Sequence, residues 1–390
     1  MKSVLVLDAN QRSALSVTRS LGKRGIPVTT AEETPRALAS CSRFAEGHIE
    51  YPSPRLHPDR FIDTLSRQVE KNHIDILLPM TELTPGLLLE NQAAFAVSTL
   101  PFPEKRAVDA LSDTCSLIRT AESLRIPVPR SLYVNDPTEL AGKLDELPYP
   151  LVLKPAKSWL TLDGEWKRAA VRFAGDPAEA RHLIQSDPAL RNHPFMIQEH
   201  IKGHGQGIFA LYDNGRPVAF FAHRRLREKP PSGGVSVLSE SIELDEELLS
   251  HARSLLDDVC WHGIAMVEFK IAPDGTPFLM EINTRFWGSL QLAVNAGVDF
   301  PYLLYQLACG AHLDPVNGYK IGTRLRWLLG DLDSLYLTLR DPRFSTPAKL
   351  GTMLKFLTPS PFRTRHEINR VTDLRPFWYE LTQYLDDIFR

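Results

Sequence analysis

Residues 263–285 read GIAMVEFKIAPDGTPFLMEINTR. Val267, Phe269 and Ile271 alternate with Glu268 and Lys270; Phe278, Met280 and Ile282 alternate with Leu279, Glu281 and Asn283. Both runs carry the period-2 pattern of a strand with one buried face. Asp274-Gly275 between them fits a two-residue type I′ hairpin loop. Symmetry about that loop places Glu268 directly opposite Glu281 and sets Asn283 and Arg285 further along the same face. Opposed carboxylates repel, and a sequence tolerates them where something positive lies between. Glu, Glu and Asn offer hard oxygen ligands, which suit Mg²⁺ or Mn²⁺ rather than zinc. Arg285 adds a fixed positive fork for a phosphate or a carboxylate. The plain alternative is a solvated hairpin with ordinary surface charges. Phe286-Trp287-Gly288 weighs against it, because it puts the charges beside a packed core.

Two further pieces lie upstream. Leu151-Val152-Leu153-Lys154-Pro155 ends a buried strand with a lysine. Burying that ammonium is costly without an anion, and a nucleotide phosphate would serve; a snorkelling surface lysine is the alternative. Residues 195–201 read as a strand running into a hinge at Gln198, Glu199, His200 and Ile201, whose backbone groups can pair with an adenine edge. The first hundred residues alternate strands (4–7, 26–31, 74–78) with helices (13–22, 57–72), the pattern of a parallel sheet with crossover helices. Ligands bind at the carboxyl ends of such strands, here the loops containing Asp8, Asn10, Thr81 and Glu82. No GxGxxG follows the first strand, which disfavours a dinucleotide-dependent dehydrogenase. Helices are expected over 112–124, 137–147 and 245–261, a hairpin turn at Asn214-Gly215, and a polar hairpin around Asp163-Gly164.

Composition sets the outer bounds. The chain has 390 residues, too many for one small core, so two or three domains are expected. Its 45 basic and 47 acidic residues leave a formal net charge of −2, with no global field to attract nucleic acid or an anionic membrane. No apolar run approaches the roughly 20 residues that span a bilayer, so no membrane insertion is expected. Cys41, Cys115, Cys260 and Cys309 lack metal-site spacing and read as reduced thiols of a cytoplasmic protein. Thirty prolines exceed 22 glycines and punctuate the chain, cutting the part after residue 331 into short pieces.

Taken in order, Lys154, then Gln198-Glu199-His200-Ile201, then Glu268, then Glu281-Ile282-Asn283-Thr284-Arg285 resemble the ATP-grasp carboxylate–amine ligases. The run from Glu281 to Ser289, with Gly297-Val298-Asp299-Phe300-Pro301 and Arg326-Trp327-Leu328-Leu329-Gly330-Asp331, is similar to the ATP-dependent carboligase branch that includes D-aspartate ligase. The resemblance covers roughly residues 1–335. It implies an α/β and α+β ATP-grasp fold: a Rossmann-like parallel-sheet domain over 1–110, a lid-containing subdomain over 111–195, an antiparallel subdomain with the metal site over 196–330, and a helical tail over 331–390. It implies ATP and Mg²⁺ (or Mn²⁺) as cofactors. Lys154 resembles the lysine on the ATP phosphates, and Glu199, His200 and Ile201 the adenine hinge. Glu268, Glu281 and Asn283 resemble the metal ligands, and Arg285 the arginine that steadies the transferred phosphoryl group or the tetrahedral intermediate. The reaction implied joins a small-molecule carboxylate, such as an amino acid, to an amine through an acyl phosphate; relatives are often homodimers. A phosphotransferase, a carboxylase-like enzyme and a non-catalytic nucleotide-binding protein are the alternatives. Arg224 and Arg225, in the basic run ending at Arg227, and the alternating Arg324 and Arg326 are candidate substrate contacts. Three features depart from the family. Asp113-Thr114 stands where Asp-Lys is usual, a glycine-poor run over 158–164 replaces the glycine-rich lid, and Gly205 and Gln206 follow the hinge where an acidic ribose ligand is usual.

Overall fold

The apolar run after Ser3 forms β1 (Val4–Val6), buried at every residue. In this computed structural model, which describes residues 1–390 except 141, 163–164, 232, 359–362 and 390, β1 pairs in parallel with β2 (Val28–Glu32). The sheet continues with β3 (Gly47–Glu50) beyond β2 and β4 (Ile76–Leu78) beyond β1, in the order β3-β2-β1-β4. The crossovers that parallel pairing requires are α1 (Arg12–Gly22) and α2 (Pro58–Lys71). The largely unburied β3 is an edge strand whose sequence, GHIE, carries no apolar signal. Asp8, at φ 52°, ties together the two carboxyl-end loops. Its carboxylate accepts from the backbone N–H groups of Met80 and Thr81, both at 2.9 Å, and from the Thr84 hydroxyl at 2.6 Å.

Beyond α3 (Leu83–Glu90) and α4 (Lys105–Ser112), the Asp113 side chain caps α5 (Thr114–Ser123) by accepting from the Ser116 N–H at 2.8 Å. The next unit holds β5 (Ser131–Val134), β6 (Leu151–Pro155), the hairpin β7 (Trp159–Leu162) and β8 (Glu165–Arg168), β9 (Arg172–Ala174), α6 (Pro177–Ser186), α7 (Pro188–Arg191) and β10 (Phe195–Glu199). Its antiparallel sheet runs β5-β10-β6-β9. The expected turn at Asp163-Gly164 lies outside the described residues. The helix expected over 137–147 is instead two short 3₁₀ turns, Pro137–Leu140 and Lys143–Glu146, separated at Gly142, whose φ of 80° no helix accommodates.

A seven-stranded sheet forms the rest of the scaffold. Its strands are β11 (His204–Asp213), β12 (Arg216–Lys229), β13 (Val235–Ser241), β14 (Gly263–Ile271), β15 (Pro277–Asn283), β16 (Arg324–Arg326) and β17 (Thr364–His366), in the order β15-β14-β11-β12-β13-β16-β17. Asn214 and Gly215 both have positive φ and form the expected two-residue turn. One face of this sheet buries Phe269, Leu279 and Ile282 against α8 (Glu246–Asp258). The other buries Phe209 and Trp287 with α9 (Leu290–Ala296), α10 (Phe300–Ala308) and the core of the N-terminal sheet.

The last segment contains α11 (Leu328–Arg340), α12 (Thr346–Leu357) and α13 (Arg375–Phe389). Residues 367–373 strap over α1. Buried Arg19 donates to Asp373 Oδ2 and to the carbonyls of Glu367, Ile368 and Asp373 at 2.8–2.9 Å. No helix among the described residues is long and apolar enough to cross a membrane.

Candidate active site

The hairpin reaches its expected pairing by an unexpected route. The turn has three residues, Pro273-Asp274-Gly275: Gly275 N–H donates to the Ala272 carbonyl at 2.9 Å, Ala272 N–H donates to the Thr276 carbonyl at 3.0 Å, and Gly275 takes φ 93°. Ile271 therefore pairs with Pro277, Lys270 with Phe278 and Phe269 with Leu279, one residue out of the symmetric two-residue register. A bulge then leaves Met280 without a partner, and Glu268 pairs with Glu281 after all. The bulged Met280 carbonyl accepts from Lys154 Nζ at 3.0 Å, linking the β5-β10-β6-β9 sheet to the hairpin.

Around the carboxylate pair the charges alternate. Lys154 is buried on β6, with burial lowering its pKa against the opposing pull of Glu281 and Glu268. Glu281 is exposed to solvent on β15. Desolvation by the surrounding protein would raise its carboxyl, but Lys154 and a hydrogen bond from Asn283 Nδ2 to Glu281 Oε1 at 3.0 Å hold it below the ordinary carboxylate range. Burial pushes the Glu268 carboxyl up to about 7, against the attraction of Arg225 and with the repulsion of Glu281 adding to it.

Arg225 is the cation that the opposed carboxylates called for. It donates to Glu268 and, at 3.0 Å, to Glu228. It reaches Glu268 from β12 by lying across the intervening strand β11, where Gly205 leaves the space: a Cβ there would stand 3.2 Å from Arg225 Cδ. That packing gives a physical reason for a residue without a side chain where an acidic one is usual. From the sequence Arg225 reads only as a substrate contact; its pairing with Glu268 spans 43 residues and leaves no local signal.

The other substrate arginines are placed differently. Arg224 and Arg324 both bind buried Glu240, and Arg326 joins Arg227 on fully buried Asp331, with contacts of 2.6–3.1 Å. Their charges are engaged in ion pairs of the sheet and α11. Arg285 Nη2 instead donates to Glu82 Oε1 at 2.9 Å, joining the end of the hairpin to an N-terminal carboxyl-end loop. Both residues line a cavity of about 630 Å³ whose wall also contains Asn10, Thr81, Trp327 and Glu380. Trp327 Nε1 donates to Glu380 Oε1 at 2.6 Å. The contribution of α13 to this cavity had no sequence signature, since nothing local in residues 375–389 marks which side chains reach the N-terminal loops.

At the hinge, β10 sets Met196 opposite Lys154. Buried Gln198 donates to Ser131 Oγ at 2.9 Å. The Glu199 N–H donates to the Arg130 carbonyl and the His200 N–H to the Pro150 carbonyl, while Glu199 Oε1 accepts from the Arg130 N–H. Of the three hinge N–H groups, that of Ile201 has no backbone partner among the described residues. The His200 ring packs edge-on against Phe173 at 5.7 Å, and burial, aided by Lys270 and Lys202, lowers its pKa.

No cluster of three or more His, Cys, Asp or Glu residues gathers in metal-binding geometry among the described residues. The candidate set is two carboxylates and an amide oxygen. It fits a hard dication by chemistry because it is all oxygen, while Arg225 already supplies positive charge beside Glu268.

Residues 191–328 match a family model described as ATP-grasp in the biosynthetic pathway with Ter operon. Among solved structures, the chain is similar to biotin carboxylase from Campylobacter jejuni in complex with β-γ-ATP, at 15% identity over 83% of this chain and 74% of that one, with a TM-score of 0.65. The chain has the ATP-grasp fold. It is also similar to an L-amino acid ligase from Bacillus licheniformis (17% identity, 80% and 75% covered, TM-score 0.61) and to N5-carboxyaminoimidazole synthetase from Staphylococcus aureus complexed with ADP (13%, 83% and 82%, TM-score 0.64). At these identities the likeness is one of fold. The neighbours thus include an amino acid ligase as well as carboxylation enzymes, and the chemistry of this chain rests on its own residues.

Proposed function

We propose that this ATP-grasp protein joins a small carboxylate, an amino acid being the leading candidate, to an amine through an acyl phosphate. The observation that carries the reading is the pairing of Glu268 with Glu281 beside Lys154, at one end of a strand whose continuation delivers Arg285 into the 630 Å³ cavity. Phosphoryl transfer asks a protein mainly for positioning and charge stabilisation. Lys154 would hold phosphate oxygens from the lid side, exchanging the Met280 carbonyl for a charged partner. The Ile201 backbone, flanked by the His200 and Phe173 rings, would take the adenine edge. Glu268, Glu281 and Asn283 would hold Mg²⁺ or Mn²⁺, which when bound neutralises phosphate charge.

Arg285 would leave Glu82 for the reacting centre. A substrate carboxylate oxygen in the cavity attacks the γ-phosphorus, and the bond to ADP breaks. The amine nitrogen then attacks the acyl carbon, phosphate leaves with the C–O electron pair, and the nitrogen loses a proton. Arg285 faces the oxygens that gain charge in both steps. The same reading divides the chain at about residues 110, 195 and 330 and, with four free cysteines, assigns it to the cytoplasm.

The test is ATP turnover with Mg²⁺ and a matrix of carboxylates and amines, following phosphate release and product mass. A product weighing the sum of both substrates less water is expected. A stable phosphorylated product, or a carboxylated product dependent on bicarbonate, would overturn the ligase reading.

A further inference from the structure

Helix α12 buries none of its residues. A surface helix normally turns its apolar stripe inward, but here the stripe faces out. Leu350, Met353, Leu354 and Leu357 recur at i, i+3, i+4 and i+7 and are 52%, 37%, 54% and 65% exposed. The helix is held from another side: Arg326 lies 4.2 Å over the Phe356 ring and donates to the Phe356 carbonyl at 3.0 Å. Neighbouring α11, packed against α12, also exposes Leu332, Tyr336 and Leu339 at i, i+4 and i+7.

On α12 itself the charge has one sign, while at its approach Arg343 is paired with Asp341. Residues 342–366 contain Arg343, Lys349, Lys355, Arg363 and Arg365 and not one Asp or Glu, in a chain whose formal net charge is −2. Lys349 and Lys355, on α12 itself, form no salt bridge among the described residues.

We propose that α12 docks this protein on an anionic lipid surface. The helix lies in the interfacial plane, with the four apolar side chains among the acyl chains and the lysines at the level of the phosphates. A second copy of the chain is the poorer occupant. A twofold pairing sets the same patch against itself, which would bring these cations together with no acid between them.

The test is co-sedimentation of the full chain with vesicles of phosphatidylcholine alone or with 30 mol % phosphatidylglycerol. Binding is expected to the anionic vesicles only, to weaken with salt, and to fall by about fivefold for each of Lys349→Gln and Lys355→Gln. Leu350→Asp with Leu354→Asp should abolish it while circular dichroism and ATP turnover are retained. Absence of binding to anionic vesicles, or binding that neither lysine variant changes, would overturn the proposal. So would a dimer seen by light scattering that the aspartate variant dissociates, since that assigns the stripe to a protein interface.

Discussion

Glu268 stands opposite Glu281 because two one-residue irregularities cancel: the three-residue turn moves the register of β14 and β15 by one, and the bulge at Met280 moves it back. The bulge also exposes the carbonyl that holds Lys154. The geometry of the carboxylate pair and the position of the lysine are thus set by the same residue. Glu281→Ala is expected to lower ATP turnover by at least about a hundredfold, the scale of losing a charge-stabilising group at a reacting centre. Thermal unfolding should change little, because Glu281 is exposed to solvent on β15. Turnover within tenfold of the parent enzyme would remove Glu281 from the metal set.

Lys154 separates stability from function. Its buried ammonium costs free energy that the Met280 carbonyl only partly offsets. Lys154→Met is expected to keep or raise the melting temperature while raising the KM for ATP by about tenfold to a hundredfold, as loss of a charge-assisted phosphate contact implies. Calorimetry and initial rates check the two halves independently. A large fall in melting temperature would make Lys154 a structural residue.

Glu380 supplies a pH signature. Burial pushes its carboxyl up to about 7, opposed by the Trp327 hydrogen bond, so the folded protein holds this proton more tightly than the unfolded chain. The resulting stabilisation is present in full below the unfolded carboxylate pKa of about 4.5 and is lost as pH rises through about 7. Glu380→Gln keeps an acceptor for Trp327 and removes the titration. It should raise the melting temperature at pH 8 relative to the parent by about one or two degrees and flatten the slope between pH 5 and 8. An unchanged slope in thermal scans would show that Glu380 does not titrate in that window.

Arg19 holds the strap over α1. Arg19→Met would leave Asp373 and three carbonyls without their buried donor, a loss of about 3–5 kcal/mol. Limited proteolysis should then cut near residues 367–373. Because α13 lines the cavity but not the hinge, the KM for the carboxylate should rise more than that for ATP. Equal effects on both would place the tail outside substrate binding.

What the sequence disclosed follows the range of the interactions. Three of the four parallel strands of the N-terminal sheet, β1, β2 and β4, and the turn at Asn214-Gly215 are local features and were legible; the edge strand β3 was not. So was the facing of Glu268 and Glu281, although the two irregularities that produce it were not: a three-residue turn ending in Gly275 and a bulge at Met280 leave the alternation of the flanking residues nearly intact. The helix expected over 137–147 failed on a backbone angle at Gly142. The Arg225–Glu268 pair and the α13 wall of the cavity join segments distant in the chain, with no local pattern to mark them, and only the folded arrangement brings them out.

The strap also fixes the order in which the molecule can be finished. Arg19 and Asp373 are 354 residues apart, so α1 leaves the ribosome long before the residues that satisfy its buried guanidinium. At about 5–20 residues per second that interval is on the order of 20–70 s. During it the N-terminal sheet and the Glu268–Glu281 hairpin can assemble while the 630 Å³ cavity still lacks its α13 wall. On the proposed reading, a nascent chain completes its nucleotide site before its substrate site.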